Sequence, residues 1–386
     1  MPRMHFEAEH HEFRDSVRRY AQNELGPQVE RWRKQGFVDR EAFLGFGAQG
    51  YLLMWADEQL GGLGLADMRY EQILQEETVR FSDPCFYHNL HSMIIAPYIA
   101  RLGSQAQRER YLPRAASGEC ILAIAMTEPD AGSDLAAIRT RAELRSGHWV
   151  LNGAKTYISN GTIADAIVVA ARTGDGPREL SLFVVEADDP GFSRGRRLAK
   201  LGLHGQDTAE LFFREAQLPG DRLLGEAGAG FRYLTSFLPV ERLQVAIGSM
   251  AHAQTAFDLT LDYVAQRRAF GQSLGQLQSV RFSLAQLRAE LDMAQCFVDQ
   301  CVVLANRGAL DTVVASQAKL LATELEGRTI DACLQLHGGA GYMDEYRISR
   351  MYADARVSRI FAGANEIMKE IIGRSLELGA QRSPRS

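Results

Sequence analysis

The apolar residues of this chain change their spacing twice, and that change constrains the possible folds more than any other feature of the sequence. In the first part they recur every three or four positions, as a helix with one buried face requires. In the middle, short β-rich runs alternate with turn-forming residues, which indicates strands. Helical spacing then returns and persists. The order predicts an α+β fold with an N-terminal helical domain (1–120), a middle antiparallel β domain (121–228) and a C-terminal four-helix bundle (229–386).

Local signals support this division. In the middle part Ser146-Gly147 predicts a hairpin, and Asn152-Gly153 predicts a second turn. Asp311 is expected to cap a later helix, and Gly338-Gly339 are expected to end it. The longest apolar stripe, which predicts a bundle helix, consists of Val280, Leu284, Leu287, Leu291, Ala294, Val298 and Val302.

Composition disfavours several classes of protein. The chain has 43 Lys plus Arg against 48 Asp plus Glu, a formal charge of −5, which argues against nucleic-acid binding. No run of about 18 apolar residues occurs, so we expect no membrane insertion. The first residues lack the apolar core of a signal peptide. Five cysteines without a CxxC pair indicate buried thiols in a reducing compartment such as the bacterial cytoplasm, with neither disulfides nor a metal site.

The segment Leu122–Asp134, LAIAMTEPDAGSD, says most about function. Its apolar run stops at Thr127, and Pro129, Gly132 and Ser133 follow. A buried strand that opens into a loop with exposed hydroxyls and a glycine is a common place for a ligand. An ordinary strand and turn would have the same pattern, so this segment alone leaves both interpretations open.

Four further segments follow it along the chain: KTYISNG (155–161), RRAFGQSLGQLQ (267–278), QLHGGAGYM (335–343) and FAGANEIMKE (361–370). Together with TEPDAGSD they resemble the acyl-CoA dehydrogenase family over nearly the whole chain. SFLPVERL, KLGLHGQDTAELFF and NEIMKEII make the resemblance closest to the long-chain and isovaleryl types. The resemblance implies FAD as cofactor, an acyl-CoA substrate, an electron-transfer flavoprotein as acceptor and a homotetramer.

The cofactor positions that the resemblance implies are Met126, Thr127, Tyr157, Ile158, Ser159, Arg267, Phe270, Gln278, Gln335, Gly338, Gly339, Asn365 and Glu366. Met126 and Thr127 would offer donors to the polar edge of the flavin. Arg267 would reach the FAD pyrophosphate of a neighbouring subunit. On the residues alone, a solvated Arg267 and a simple helix cap at Gly338-Gly339 remain open, and His337 is expected to be a packing residue.

The implied reaction needs a carboxylate that removes the proton α to a thioester carbonyl. Many family members have it before the glycine of the final motif, where this chain has Ala362. In the long-chain and isovaleryl types it lies on the first helix of the C-terminal domain, and Glu241 matches that position. Glu366 and Glu370 are rival acids, and a surface ion pair of Glu241 with Arg242 is the alternative interpretation.

The resemblance also implies substrate contacts at Ser133, Arg242, Ala362 and Gly363, with the Ala362 N–H and a ribityl hydroxyl of FAD donating to the thioester oxygen. Arg242 would contact the CoA nucleotide. We therefore predict α,β-dehydrogenation of an acyl-CoA to trans-2-enoyl-CoA, with the α-proton passing to Glu241 and the β-hydride to flavin N5. An acyl-CoA oxidase that uses oxygen, and a non-catalytic flavoprotein of the same fold, remain alternatives.

Overall fold

The computed structural model describes residues 1–378. They form two compact units, one of residues 7–237 and one of residues 1–6 with the segment that begins at Leu238. The predicted N-terminal helices and the predicted β domain both belong to the first unit.

The N-terminal part of the first unit is helical, as the apolar spacing predicts. An aromatic cluster fills its core: Phe86 packs edge-on against Phe43 and Phe46, with ring centroids 4.9 and 4.7 Å away. Single π-helical turns, Ala21–Leu25 and Leu90–Ile95, interrupt the regular geometry. The helices are α1 (Ala8–Tyr20), α2 (Val29–Gln35), α3 (Arg40–Ala48), α4 (Met68–Ser82), α5 (Ala96–Leu102) and α6 (Gln105–Ala116).

A twisted sheet makes up the rest of the first unit. Its strands are β1 (Leu122–Ala125), β2 (Arg141–Arg145), β3 (His148–Ser159), β4 (Ala166–Arg172), β5 (Leu180–Glu186), β6 (Phe192–Arg197), β7 (Thr208–Pro219) and β8 (Leu223–Leu224). They lie in the order β6-β7-β3-β2-β4-β5-β8, with β1 beside β4. Strands β4 and β5 are buried almost throughout, so the sheet is covered on both faces there.

Two details of the sheet correct the sequence-based predictions. The sheet is not wholly antiparallel, because β1 runs parallel to β4, and β2 meets β4 in parallel at Arg141 and Arg172. The β2–β3 hairpin lies between β1 and β4 in the chain and provides the crossover that parallel strands need. Asn152-Gly153 is not a turn: it lies within β3 at a register shift, where Asn152 exchanges hydrogen bonds with Glu215 of β7.

The second unit is a helical bundle. Its helices are α7 (Gly230–Gln266, of which residues 230–237 belong to the first unit), α8 (Gln278–Asn306), α9 (Thr312–His337), α10 (Arg347–Ala355) and α11 (Asn365–Ser375). The short strands β9 (Arg268–Ala269) and β10 (Gln272–Ser273) form a hairpin. Within the described residues three of these helices are long and two are short, where the sequence predicted a four-helix bundle. The Asp311 carboxylate caps α9 by accepting from Val313 and Val314 N–H, as predicted.

The cysteines follow the prediction with one exception. Cys85, Cys120, Cys301 and Cys333 are buried, whereas Cys296 lies on an exposed face of α8. None of the helices within residues 1–378 is both long and apolar enough to cross a membrane.

Candidate active site

In the first unit, the segment after β1 lies beside a bulge in β3. The Thr156 N–H donates to the Thr127 carbonyl at 2.9 Å and so fastens the segment to the strand. The pairing of β3 with β7 shifts between Lys155 and Ile158. Tyr157, within that shift, has φ 58° and is 68% exposed, whereas Ile158 is buried. A bulge turns one side chain out of the sheet, and here that side chain is the predicted flavin neighbour.

Two hydroxyl groups in these segments are available to a ligand. Thr127 and Ser159 are both half-buried, and neither hydroxyl has an intramolecular hydrogen bond to any residue between 1 and 378. Met126 is also half-buried, and Ser133 is exposed in the loop that follows. The structure thus brings Thr127 and the 157–159 segment together and leaves the Thr127 and Ser159 hydroxyls without a hydrogen bond to the described residues.

A buried ion pair holds this arrangement from behind. The Lys155 ammonium, 1% exposed, donates to the Met126 carbonyl at 3.0 Å and to Glu128 Oε1 at 2.7 Å. Glu128 also accepts the N–H groups of Arg139 (2.6 Å) and Thr140 (2.9 Å). The carboxylate therefore ties together both ends of the loop that contains Ser133.

The pKa values of this pair reflect its burial. Burial lowers the pKa of Lys155 to about 8, although the Glu128 carboxylate opposes that shift. Burial also disfavours the charged form of Glu128, but the Lys155 charge and the hydrogen bonds outweigh it and lower the pKa of that carboxyl. Glu128 therefore stays ionised at neutral pH and keeps its partner in place.

In the second unit, Glu241 and Arg242 lie on α7 with only 4% and 3% of their surfaces exposed. The alternative interpretation of a surface ion pair is therefore wrong. Arg242 donates from Nη1 to Ser316 Oγ of α9 at 3.1 Å. Burial lowers the pKa of Arg242, and the nearby Glu241 charge opposes the shift.

The rival acids differ from Glu241 in exposure. Glu366 and Glu370 are both on the exposed side of α11. Glu370 also forms an ion pair with Arg374 one turn later, at 2.5 Å. Of the three carboxylates, only Glu241 is shielded from solvent.

The loop of residues 360–364 contains the predicted substrate positions Ala362 and Gly363. Both are half-buried and adopt left-handed backbone conformations, with φ 50° and 89°. A left-handed alanine is strained, and such residues cluster where a protein needs a special backbone geometry. Ala362 presents no side chain that could take a proton, but its N–H remains.

Asn365 ends this loop, and its side chain is fully engaged within the bundle. It is 2% exposed, and its Oδ1 accepts from Lys319 at 2.8 Å. Its amide Nδ2 donates to Thr323 Oγ1 at 3.0 Å and to Glu324 Oε1 at 2.9 Å. Both donors and the acceptor are used, so the side chain supports the loop and the predicted cofactor contact could come only from its backbone.

The bundle brings two of the predicted segments together at one end. The ring of Tyr263 on α7 stacks on His337 of α9 with centroids 4.2 Å apart, and its hydroxyl donates to the His337 carbonyl at 3.1 Å. Arg267 lies one turn after Tyr263, and Gly338 follows His337. His337 itself bonds the Cys333 carbonyl at 2.9 Å, which confirms its packing role.

The predicted residues at this end face outward. Arg267 is exposed, and its guanidinium has no partner among the residues that the structure describes. Phe270 is 90% exposed, at φ 52°, in the turn between β9 and β10. A Cβ on Gly338 or Gly339 would meet nothing within 4 Å. Gln278, at the start of α8, and Gln335 are also exposed.

Sequence reasoning missed the residues that support the site from inside, chiefly Lys155, Glu128 and Lys319. A signal for them exists. Lys155 interrupts a β-rich run, and Lys319 occupies a buried position of α9 between Ala315 and Ala322. A charge at an apolar position is rarely left unpaired, so such positions indicate buried polar networks.

Known families match almost the entire chain. The model of the acyl-CoA dehydrogenase N-terminal domain matches residues 7–119, that of the middle domain residues 123–216, and that of the C-terminal domain residues 228–377.

Individual proteins agree with the family models. The chain is 44% identical over 377 residues to the long-chain specific acyl-CoA dehydrogenase, mitochondrial, of Sus scrofa, across 96% of this chain and 87% of that protein. A crystal structure of acyl-CoA dehydrogenase from Geobacillus kaustophilus matches with a TM-score of 0.95 at 44% identity, covering 97% of this chain and 99% of that one. A Mycobacterium smegmatis glutaryl-CoA dehydrogenase, solved in complex with FADH2, matches with a TM-score of 0.90 at 27% identity, covering 98% and 97%.

Proposed function

The chain belongs to the acyl-CoA dehydrogenase family, and from that premise we propose how its residues divide the reaction. The family is FAD-dependent, and the chain is an oxidoreductase that dehydrogenates an acyl-CoA. Our proposal is that Glu241 removes the α-proton and that the product is a trans-2-enoyl-CoA. The electrons then pass to an electron-transfer flavoprotein.

The residues present fit FAD. Thr127 and Ser159 are half-buried, and their hydroxyls have no partners among the described residues, as a ligand with polar ring atoms requires. Arg267 has a guanidinium without a partner within residues 1–378, and it follows by one turn Tyr263, which stacks on His337 before Gly338 and Gly339. Phosphate groups favour a guanidinium donor of this kind. Gly339 is required neither by packing nor by a left-handed φ, so close approach of a ligand is the remaining reason for a glycine there.

When bound, FAD supplies the acceptor that takes the β-hydrogen as hydride at N5. The other half of the reaction belongs to the protein. Glu241 accepts the α-proton at a carboxylate oxygen, and the Ala362 N–H donates to the thioester oxygen, where negative charge develops. The observation that carries this assignment is the burial of Glu241, 4% exposed, while Glu366 and Glu370 face solvent.

The Glu241→Gln variant tests the assignment because glutamine keeps the shape but cannot take the proton. It should bind FAD and acyl-CoA and yet reduce flavin at least about a hundredfold more slowly, the low end of general-base contributions. The measurement is anaerobic stopped-flow bleaching of the flavin with palmitoyl-, octanoyl- and isovaleryl-CoA. Glu370→Gln is the matched control and should react like the wild type.

Near-normal flavin reduction in Glu241→Gln would remove Glu241 as the base. Rapid oxygen consumption by the wild type in the absence of an electron-transfer flavoprotein would instead favour the oxidase. A wild type whose flavin no acyl-CoA bleaches would favour a non-catalytic flavoprotein.

We further propose a homotetramer in which Arg267 serves the FAD of a neighbour. Large apolar side chains of the second unit face solvent in the single chain, among them Phe270 (90% exposed), Tyr342 (84%) and Met293 (71%). Exposed apolar surface of this kind commonly marks an interface.

Arg267→Ala should therefore lose flavin and weaken the assembly, since ligand binding and assembly are linked. Arg268→Ala is the matched control, because Arg268 is also exposed but donates to the carbonyl of Gly271 at 2.9 Å. Flavin content and size-exclusion chromatography are measured for both. Equal flavin content in the two variants would make Arg267 an ordinary surface charge.

A further inference from the structure

The loop of residues 360–364 contains a conformation that the sequence does not favour. Ala362 and Gly363 are consecutive left-handed residues, with φ 50° and 89°. Glycine adopts this conformation freely, but alanine pays about 1–2 kcal/mol for it. The surroundings must therefore hold the turn.

Side chains of helix α9 hold the turn at Ala362 and Gly363. Lys319 donates to the Gly363 carbonyl at 2.9 Å and to Asn365 Oδ1 at 2.8 Å. Asn365, the first residue of α11, donates in turn to Glu324 at 2.9 Å. Arg359, just before the loop, lies 3.5 Å from the same carboxylate. Both ends of the loop are thus fastened to one stretch of α9.

Lys319 is the only one of these groups that contacts the left-handed turn itself, through Gly363. Its side chain is fully buried, so it acts through the groups that it holds and does not touch a ligand. Burial and the neighbouring Arg242 charge lower the pKa of Lys319 to about 8, while Glu366 and other carboxylates oppose the shift. Hydrogen bonds from an ammonium are stronger than those from a neutral donor. The two bonds from Lys319, to the Gly363 carbonyl and to Asn365 Oδ1, therefore form a clamp on the loop.

We propose that Lys319 is a positioning residue that fixes the Gly363 carbonyl and thereby presents the Ala362 N–H to the thioester oxygen. This inference rests on the proposed function, because the N–H matters only if a thioester binds there. A donor that is aligned with developing charge stabilises the transition state more than the bound substrate. Loss of the clamp should therefore slow the chemical step without weakening substrate binding.

The first experiment compares Lys319→Met with Lys369→Met, which removes an exposed lysine from α11. Lys319→Met should reduce the rate constant of flavin reduction by palmitoyl-CoA about a hundredfold, the effect of losing one oxyanion donor. The Kd for palmitoyl-CoA and the FAD content should stay close to those of the wild type. Lys369→Met should change none of the three.

The second experiment measures the thioester directly. Palmitoyl-CoA with an isotopically labelled carbonyl is bound to the Glu241→Gln protein, and the carbonyl stretching band is recorded by infrared difference spectroscopy. A polarised carbonyl absorbs at lower frequency than free palmitoyl-CoA. Adding Lys319→Met should move the band back toward the free position, a change that a purely structural role of Lys319 would not produce.

The outcomes separate the two proposals. A band at the free position already in Glu241→Gln, or rapid turnover by that variant, contradicts the proposed function. A shifted band that stays unchanged on adding Lys319→Met overturns the role of Lys319 alone. Should Lys319→Met fail to fold, Lys319→Gln, which keeps a polar group but loses the charge, replaces it. Wild-type rate and an unchanged band in either folded variant would sink the inference.

Discussion

The sheet and the helical bundle each bury a lysine behind a loop with proposed site residues, but the two lysines differ in the partner of their charge. Lys155 donates to the Met126 carbonyl, and Lys319 donates to the Gly363 carbonyl. Burial is the largest cause that lowers both pKa values, in each case to about 8. Lys155 has a carboxylate, Glu128, at 2.7 Å, whereas the acceptors of Lys319 are neutral oxygens.

The difference follows from what each neighbourhood offers. Near Lys155 the loop after β1 supplies a carboxylate that the N–H groups of Arg139 and Thr140 also hold, so opposite charges are buried as a pair. Near Lys319 a second buried cation, Arg242, opposes the charge, and the carboxylates that favour it act from a distance. Removing one member of a buried ion pair leaves the other charge uncompensated and lowers the free energy of unfolding strongly. Removing a cation that only neutral dipoles hold lowers it less.

The largest effect expected from this comparison is on stability. Lys155→Met should destabilise the protein by about 3–5 kcal/mol, because Glu128 is left as a buried carboxylate without its cation. Lys319→Met leaves only neutral acceptors unsatisfied and should cost about 1–3 kcal/mol. Urea unfolding of the FAD-loaded proteins, followed by far-UV circular dichroism, measures both.

Tryptophan fluorescence provides an internal check on that experiment. All three tryptophans, Trp32, Trp55 and Trp149, lie in the first unit. Their transition should therefore shift strongly in Lys155→Met. Adding Glu128→Gln should recover part of the loss, since the pair is then neutralised together. Equal destabilisation by the two lysine substitutions would show that the charge of the hydrogen-bond partner does not determine the loss of unfolding free energy.

A buried carboxyl group without a hydrogen-bond partner in residues 1–378 offers a further comparison with the two lysines. Glu71 on α4 is 3% exposed, and neither carboxylate oxygen has a hydrogen-bond partner within the described chain. Burial raises the pKa of Glu71 to about 8. The folded protein therefore keeps this proton up to about pH 8, whereas the unfolded chain releases it near the ordinary pKa of 4.5.

The folded state binds more protons than the unfolded state between these two pH values, so stability should fall as pH rises through that range. One such group contributes a slope of about 1.4 kcal/mol per pH unit at most. Glu71→Gln should flatten the dependence of Tm on pH between 5 and 8, and be more stable than the wild type above pH 8. The exposed Glu58→Gln is the control. A wild-type slope in Glu71→Gln would mean that another group titrates.

Much of the fold followed from local patterns, whereas the proposed site residues followed from the resemblance to a family. The spacing of the apolar residues predicted where the helices and the sheet lie, because that spacing follows the repeat of the secondary structure. The glycines at 338–339 and the N-cap at Asp311 could be named because their chemistry is local. Thr127 and Arg267 were named through the resemblance to a family, and their roles stay predictions. The turn expected at Asn152-Gly153 was wrong because pairing with β7 outweighed the local preference, and bulged the strand instead.

The sequence by itself determined that this chain belongs among flavin-dependent dehydrogenases and that Ala362 could not be the base. Only the tertiary structure decided that Glu241 and Arg242 are buried and not a surface pair, that Asn365 supports a loop from within, and that Lys155 and Lys319 hold the Met126 and Gly363 carbonyls. The physical reason is that burial and long-range hydrogen bonds join residues distant in sequence. Lys319 and Gly363 are 44 positions apart, and no local pattern records that they meet.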